Sequence, residues 1–281
     1  MLVIVGVVVV LAVLAVTAVI LGNQPSDAPI PPESVARYDD VLQTRTTEGY
    51  PRLGDASSPV QVQLFSSFDC TACLTLHDEI IDDLVQRVRD GRIALTFVPL
   101  YGTGSITNGQ GAARAALCVS VQDGFWPYHD ALFAWQGAFG NQAFTQSRLV
   151  TGVDALGLDR GAFELCSRSG APDSVLTEAR TDASALLNFI GTPTITINGI
   201  VPYDADTNQP LSGATALLEA VDRAIETIEN RVNRPTPTPA QAPTTAPAAE
   251  ATAEVTAEAT PSVPTQAPTA EATAEATAVG G

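Results

Sequence analysis

Residues 65–81 read FSSFDCTACLTLHDEII, with two cysteines three positions apart where an apolar run gives way to a helical pattern. Upstream, VQVQLFSSF alternates apolar and polar residues and then turns apolar, as a strand entering a sheet core does. Downstream, Leu74, Ile80, Ile81, Leu84, Val85 and Val88 recur at helical spacing, and RDGR supplies Gly91 as a C-terminal cap. The junction predicts Cys70 at the first turn of a helix. Unpaired backbone N–H groups and the positive dipole end stabilise an anion there, and the thiolate is the nucleophilic form of cysteine. Cys73, one turn on, is placed to resolve a mixed disulfide formed on Cys70. The same spacing also fits half of a metal site or two buried thiols.

Working outward, residues 92–100, RIALTFVPL, read as a second strand, which makes a right-handed βαβ unit with a parallel sheet. SVARYDDVLQ reads as a short helix and PRLGDASSP as turn and loop. From Thr107 to Phe189 the pattern is mainly helical, and it returns to strand at TPTITI. Asn198-Gly199 then signals a hairpin leading into IVPY, and SGATALLEAVDRAIETIENRV closes the domain as an amphipathic helix.

The two ends differ from this core. Residues 2–21 are apolar and uncharged, about 30 Å of helix, enough to span a bilayer. No basic residue precedes the run and no cleavage site follows it, so 1–22 is expected to be a retained transmembrane anchor rather than a cleaved signal peptide. The first cation after it is Arg37, which mildly favours export of the C-terminal part. Residues 23–52 are expected to be a Pro-rich spacer and short N-terminal segment, and 53–232 the folded domain. Residues 233–281, built from Pro, Thr, Ala, Glu, Gln and Val with near-repeats such as TQAPTAEATAE, are expected to be a disordered tail. The formal charge of −17 arises from 31 acidic and 14 basic residues, every basic one an arginine, and it opposes binding to nucleic acid or anionic lipid.

Pro193 opens a strand, where proline cannot donate to a ladder and often marks a cis bond or an edge. Taken in order, LGDASSPVQVQLFSSFDCTAC, CVSVQDGFWPYHDALF and GTPTITING resemble the DsbA-like branch of the thioredoxin-fold thiol–disulfide oxidoreductases over about 53–232. The resemblance implies an α/β thioredoxin fold with an inserted helical subdomain at about 105–189. It makes Cys70 the exposed nucleophile, Cys73 the buried resolving thiol, and Thr192-Pro193 a cis pair that aligns a substrate strand. It implies exported protein substrates, a membrane redox partner (DsbB-like or vitamin-K-epoxide-reductase-like), no cofactor and no metal. Nothing in the sequence resembles the separate dimerisation domain of disulfide isomerases, so a monomer is expected. Strongly oxidising members carry Pro-His between the cysteines; Thr71-Ala72 here, with Asp69 adjacent, implies a less extreme thiolate and a less oxidising pair. Cys118 and Cys166 complete an even set, and in an exported domain the simplest assignment is a structural disulfide between them. Two buried free thiols are the alternative.

Other motifs carry less. His77, four residues after Cys73, would with both cysteines suggest a thioredoxin-fold copper chaperone, but those separate their cysteines by three residues; His77 is read as a partly exposed helix residue. His129, within FWPYHDALF, is read as packing or capping. YGTGSITNG lacks the third glycine of a dinucleotide loop, and DADTN lacks the glycine and glutamate of a calcium loop. The expected protein is a single-pass membrane protein with an extracytoplasmic domain that forms disulfides in exported proteins. The alternatives are a copper-binding metallochaperone or a disulfide reductase or isomerase.

Overall fold

The structure, a computed structural model, describes residues 27–234 together with Gly6 and Val13. The expected membrane anchor and tail lie, apart from Gly6, Val13, Asn233 and Arg234, outside the described residues; among those described no helix is long and apolar enough to cross a membrane.

Five strands form one sheet: β1 (Gln43–Arg45), β2 (Pro51–Leu53), β3 (Val60–Ser67), β4 (Ile93–Leu100) and β5 (Thr194–Ile197), in the order β1-β2-β4-β3-β5. The central pair β3 and β4 is parallel, with Val60 opposite Ile93 and Ser67 opposite Leu100. The other pairings are antiparallel. Every residue of β4 is buried, which is why IALTFVPL carries no polar alternation. The connection between the parallel strands is α2 (Thr71–Arg89), preceded in the chain by the short α1 (Pro32–Tyr38). Helix α2 stops where Gly91 takes φ +70° and its N–H donates to the Val88 carbonyl.

The helical insert comprises α3 (Gly109–Ser120), α4 (Phe125–Phe139), α5 (Gln146–Ala155), α6 (Arg160–Arg168) and α7 (Ala171–Ala185), and α8 (Ala214–Val232) ends the domain. Strand alternation divides the core between two faces. Val62, Leu64, Leu95 and Phe97 pack into the cluster that includes Ile80, Leu84 and Val221, whereas Phe65, Val98 and Leu100 join Ala179 and Ala183 of α7. Arg87 of α2 forks onto both carboxylate oxygens of Asp222 in α8 at 2.8 and 2.7 Å.

Three local expectations change. Pro51–Leu53 is a strand rather than a loop: three residues are too few for a readable period, and pairing with β1 and β4 recruits them. Asn198 and Gly199 do turn, at φ +50° and +79°, but the return limb ends at the Ile197–Ile200 bridge. Pro202 cannot extend a ladder, and the Asn198 backbone and side chain pair with Gln61 instead. The segment expected as a spacer packs on the domain from its first described residues: Ala28 is buried, and the Trp135 indole donates to the Pro29 carbonyl at 2.7 Å.

Candidate active site

Cys70 caps the N-terminus of α2 with extended backbone, and its sulfur accepts the Cys73 backbone N–H at 3.4 Å. Helical φ/ψ begins at Thr71, so the first turn directs its unpaired N–H groups at that sulfur. Both cysteines are free thiols. Cys70 is only 6 % exposed, which corrects the expectation of an open nucleophile. The chain before β5 covers it: Thr192-Pro193 is a cis peptide, and the Cys70 S–H donates to the Thr192 carbonyl at 3.5 Å.

The two sulfurs differ in acidity. A hydrogen bond from the Cys73 thiol lowers the Cys70 pKa to about 6 against opposing burial, helped by the Thr192 side chain and the backbone N–H groups of Cys73 and Ala72. Burial pushes Cys73 up, and its hydrogen bond and proximity to Cys70 push it further. An easily ionised sulfur therefore sits beside one that keeps its proton.

Asp69 turns away from the cysteines. Its carboxylate, 3 % exposed, accepts the Gly102 N–H at 2.7 Å, the Gly104 N–H at 3.2 Å and the Ser67 hydroxyl. Its own carbonyl accepts the Ile106 N–H at 3.3 Å. The approach is close enough to require glycine: a Cβ on Gly104 would lie 1.8 Å from the Asp69 carbonyl oxygen, and one on Gly109 2.2 Å from its carboxylate. The glycines that imitated a nucleotide loop thus let backbone approach Asp69. Thr103, between two pinned glycines, pairs its hydroxyl with that of Thr192 at 2.6 Å, so one loop fastens both the Cys70 and the Pro193 segments. From the insert, Gln136 of α4 donates its amide to the carbonyls of Phe68 and Cys70. Sequence reasoning missed Asp69 as a clamp and missed Thr103 and Gln136 altogether. The only available signal was the glycine spacing of YGTGSITNG.

Beside Cys70 lies a groove of about 340 Å³, lined by Ala72, Leu76 and Glu79 of α2, Pro193, Leu211 and Leu217 among others. On the other side of α2, His77 is 6 % exposed rather than partly open. Its ring stacks on Phe133 and meets His129 edge-on, and its Nε2 lies 3.5 Å from Asp130. Asp130 also accepts the Tyr38 hydroxyl at 2.8 Å and pairs with Arg37, while His129 packs among Phe68, Phe97, Phe125 and Phe133, the packing role read from its surroundings. Among the described residues the one set of three metal-ligating side chains within mutual reach is His77, His129 and Asp130, so His77 does not complete a ligand set with the cysteines. Arg37 already neutralises that carboxylate, which ties α1 to α4. Cys118 of α3 and Cys166 of α6 are joined, with Cα atoms 5.6 Å apart, and neither lines the groove.

A mixed sheet with a dithiol at the start of the crossover helix and a cis proline against it defines a thioredoxin-fold protein. The thioredoxin family profile matches residues 46–220, well over half of the chain. The chain is 25 % identical over 150 residues to a Bacillus anthracis protein described as probable disulfide bond formation protein D, covering 52 % of this chain and 69 % of that one. Among solved structures, oxidised BdbD of Bacillus subtilis superposes with a TM-score of 0.53 at 19 % identity, over 66 % of this chain and 99 % of that one. MdbA of Corynebacterium matruchotii, a thiol-disulfide oxidoreductase, does so at 0.52 and 14 %, over 64 % and 90 %. The chain belongs to the thioredoxin family.

Proposed function

We propose that the protein forms disulfides in exported proteins through Cys70 and Cys73, with Thr192-Pro193 aligning the substrate. The observation that carries this reading is the opposite displacement of two adjacent thiol pKa values, Cys70 down and Cys73 up. In the oxidised enzyme a substrate thiolate attacks the Cys70 sulfur; the Cys70–Cys73 bond breaks, and the released Cys73 sulfur takes up a proton, which its raised pKa favours. A second substrate thiolate then attacks the substrate sulfur of the mixed disulfide, and Cys70 departs as a stabilised thiolate. The substrate has lost two electrons and two protons, and the enzyme holds them as a dithiol. A membrane quinone- or disulfide-linked acceptor of the DsbB-like or vitamin-K-epoxide-reductase-like kind takes them back.

The apolar run at 2–21 is proposed to tether a monomeric domain on the outer side of the cell membrane, and the joined Cys118–Cys166 pair suits an oxidising compartment. Replacing Cys73 with Ser leaves Cys70 unable to be resolved. The variant is expected to accumulate mixed disulfides with exported proteins that vanish on adding a reductant and on the further change Cys70→Ala. Absence of trapped species in the Cys73→Ser chain overturns the reading.

A further inference from the structure

We propose that Glu79 selects substrates carrying a basic side chain about four residues from the reacting cysteine, an inference that rests on the disulfide-exchange reading above. Ala72, Thr75, Leu76 and Glu79 fall on one face of α2, and all four line the groove beside Cys70. The rest of its lining is neutral, so Glu79 is the one ionisable side chain there. Its neighbours on the helix are already engaged. Asp82 pairs with Arg37 and Asp83 with Arg87, while Asp78 lines the separate cleft that holds Arg37 and Asp130. Among the described residues no arginine pairs with Glu79, and the chain has no lysine to do so.

An unpaired, exposed carboxylate at the edge of an otherwise neutral, mostly apolar groove specifies its occupant by charge complementarity. The occupant is an extended segment of substrate polypeptide that places an apolar side chain against Leu76, Pro193 and Leu217 and a cation against Glu79. Helix geometry sets the spacing. Glu79 lies nine positions beyond Cys70, the sulfur that bonds the substrate, about 14 Å at 1.5 Å per residue, which an extended peptide spans in roughly four residues. An acidic residue at that position meets Glu79 with like charge, so the groove disfavours it as well. The chain's charge of −17 acts in the same direction at long range, and the test must separate the two.

The experiment measures exchange between the oxidised full chain and three reduced cysteine peptides that differ only four residues from the cysteine, bearing Arg, Gln or Glu. The expected rate order is Arg, then Gln, then Glu, with roughly a 3- to 10-fold spread at low salt that shrinks as ionic strength rises. Glu79→Gln should bring the three peptides to within about twofold, and Glu79→Arg should reverse the order. Equal rates for the Arg and Glu peptides overturn the inference. So does a preference that persists in Glu79→Gln, because it then belongs to the overall charge. Failure of the Gln peptide to exchange at all would instead strike the disulfide-exchange reading itself.

Discussion

The Gln136 amide of the helical insert donates to the Cys70 carbonyl at 3.2 Å and also to that of Phe68, so the insert grips the backbone of the redox turn directly. The Phe68 carbonyl lies where the chain leaves the sheet and has no ladder partner, whereas the Cys70 carbonyl also accepts the Cys73 and Leu74 N–H groups. Replacing Gln136 with Met keeps the volume but takes the side-chain donor from the buried Phe68 carbonyl. The expected loss is about 1–3 kcal/mol in urea unfolding of the reduced protein. An unchanged midpoint would show that the carbonyl finds another donor.

His77 makes the domain sensitive to acid. Burial, then the neighbouring His129, lowers its pKa from 6.5 to about 3 despite Asp130. The unfolded chain binds a proton on His77 below about pH 6.5 while the folded chain refuses it until about pH 3, so stability falls as pH drops across that interval. Asp130 acts in the same sense at the lower end: its pKa is held down against burial by the His129 hydrogen bond and the Arg37 charge. His77→Phe keeps a ring against Phe133 and removes the titrating nitrogen. Its melting temperature should fall less than that of the parent between pH 6.5 and pH 4, and parallel curves would contradict the assignment.

How much of this was legible beforehand follows from how far each contact lies along the chain. The Cys70–Cys73 pair, α2, β3, β4 and the cis proline stood out because a single period or dipeptide carries each signal. β2 was not, since three residues carry no period and its pairing depends on β4, some forty positions away. The burial of His77 could not be read because the partners that close over it, Asp130 and Phe133, come from the insert. Asp69 looked like a charge crowding the thiolate; only the folded loop reveals the donors that turn it away.

The acidity of Cys70 fixes an expected redox poise. A first cysteine of pKa about 7 accompanies roughly −270 mV in thioredoxin and one of about 3.5 accompanies roughly −120 mV in DsbA. A value of about 6 falls between the two. Equilibration with glutathione should find the pair more oxidising than thioredoxin and less oxidising than DsbA, and a potential as positive as that of DsbA would contradict it. Alkylation of reduced Cys70 should reach half its maximal rate near pH 6. Because the Cys73 thiol is the largest stabilising influence, Cys73→Ala should move that half-point upward.

Removing the Cys118–Cys166 link lengthens the free loop of the unfolded chain by a closure of 48 residues. On the chain-entropy estimate, Cys118→Ala with Cys166→Ala costs about 4 kcal/mol. The groove and Cys70 are built from other elements, so the reactivity of Cys70 in the fraction that remains folded should match the parent. A parallel loss of Cys70 reactivity would mean that the link helps to shape the site.

Gly104 offers the sharpest test of the Asp69 clamp. An added methyl would sit 1.8 Å from the Asp69 carbonyl oxygen, a backbone atom that cannot swing aside as a flexible side chain would. In Gly104→Ala the loop must retreat, breaking the Gly102 and Gly104 hydrogen bonds to Asp69 and drawing Thr103 away from Thr192. The expected stability loss is about 1–3 kcal/mol, as for other overpacked positions. The more specific outcome is a change in Cys70 itself, because the Thr192 side chain helps to hold its thiolate. Its half-point of alkylation should rise in Gly104→Ala but not in Gly102→Ala, where nothing meets the added carbon and only the backbone at φ +72° is strained. If both variants alkylate like the parent, the loop packs against the redox turn without influencing it.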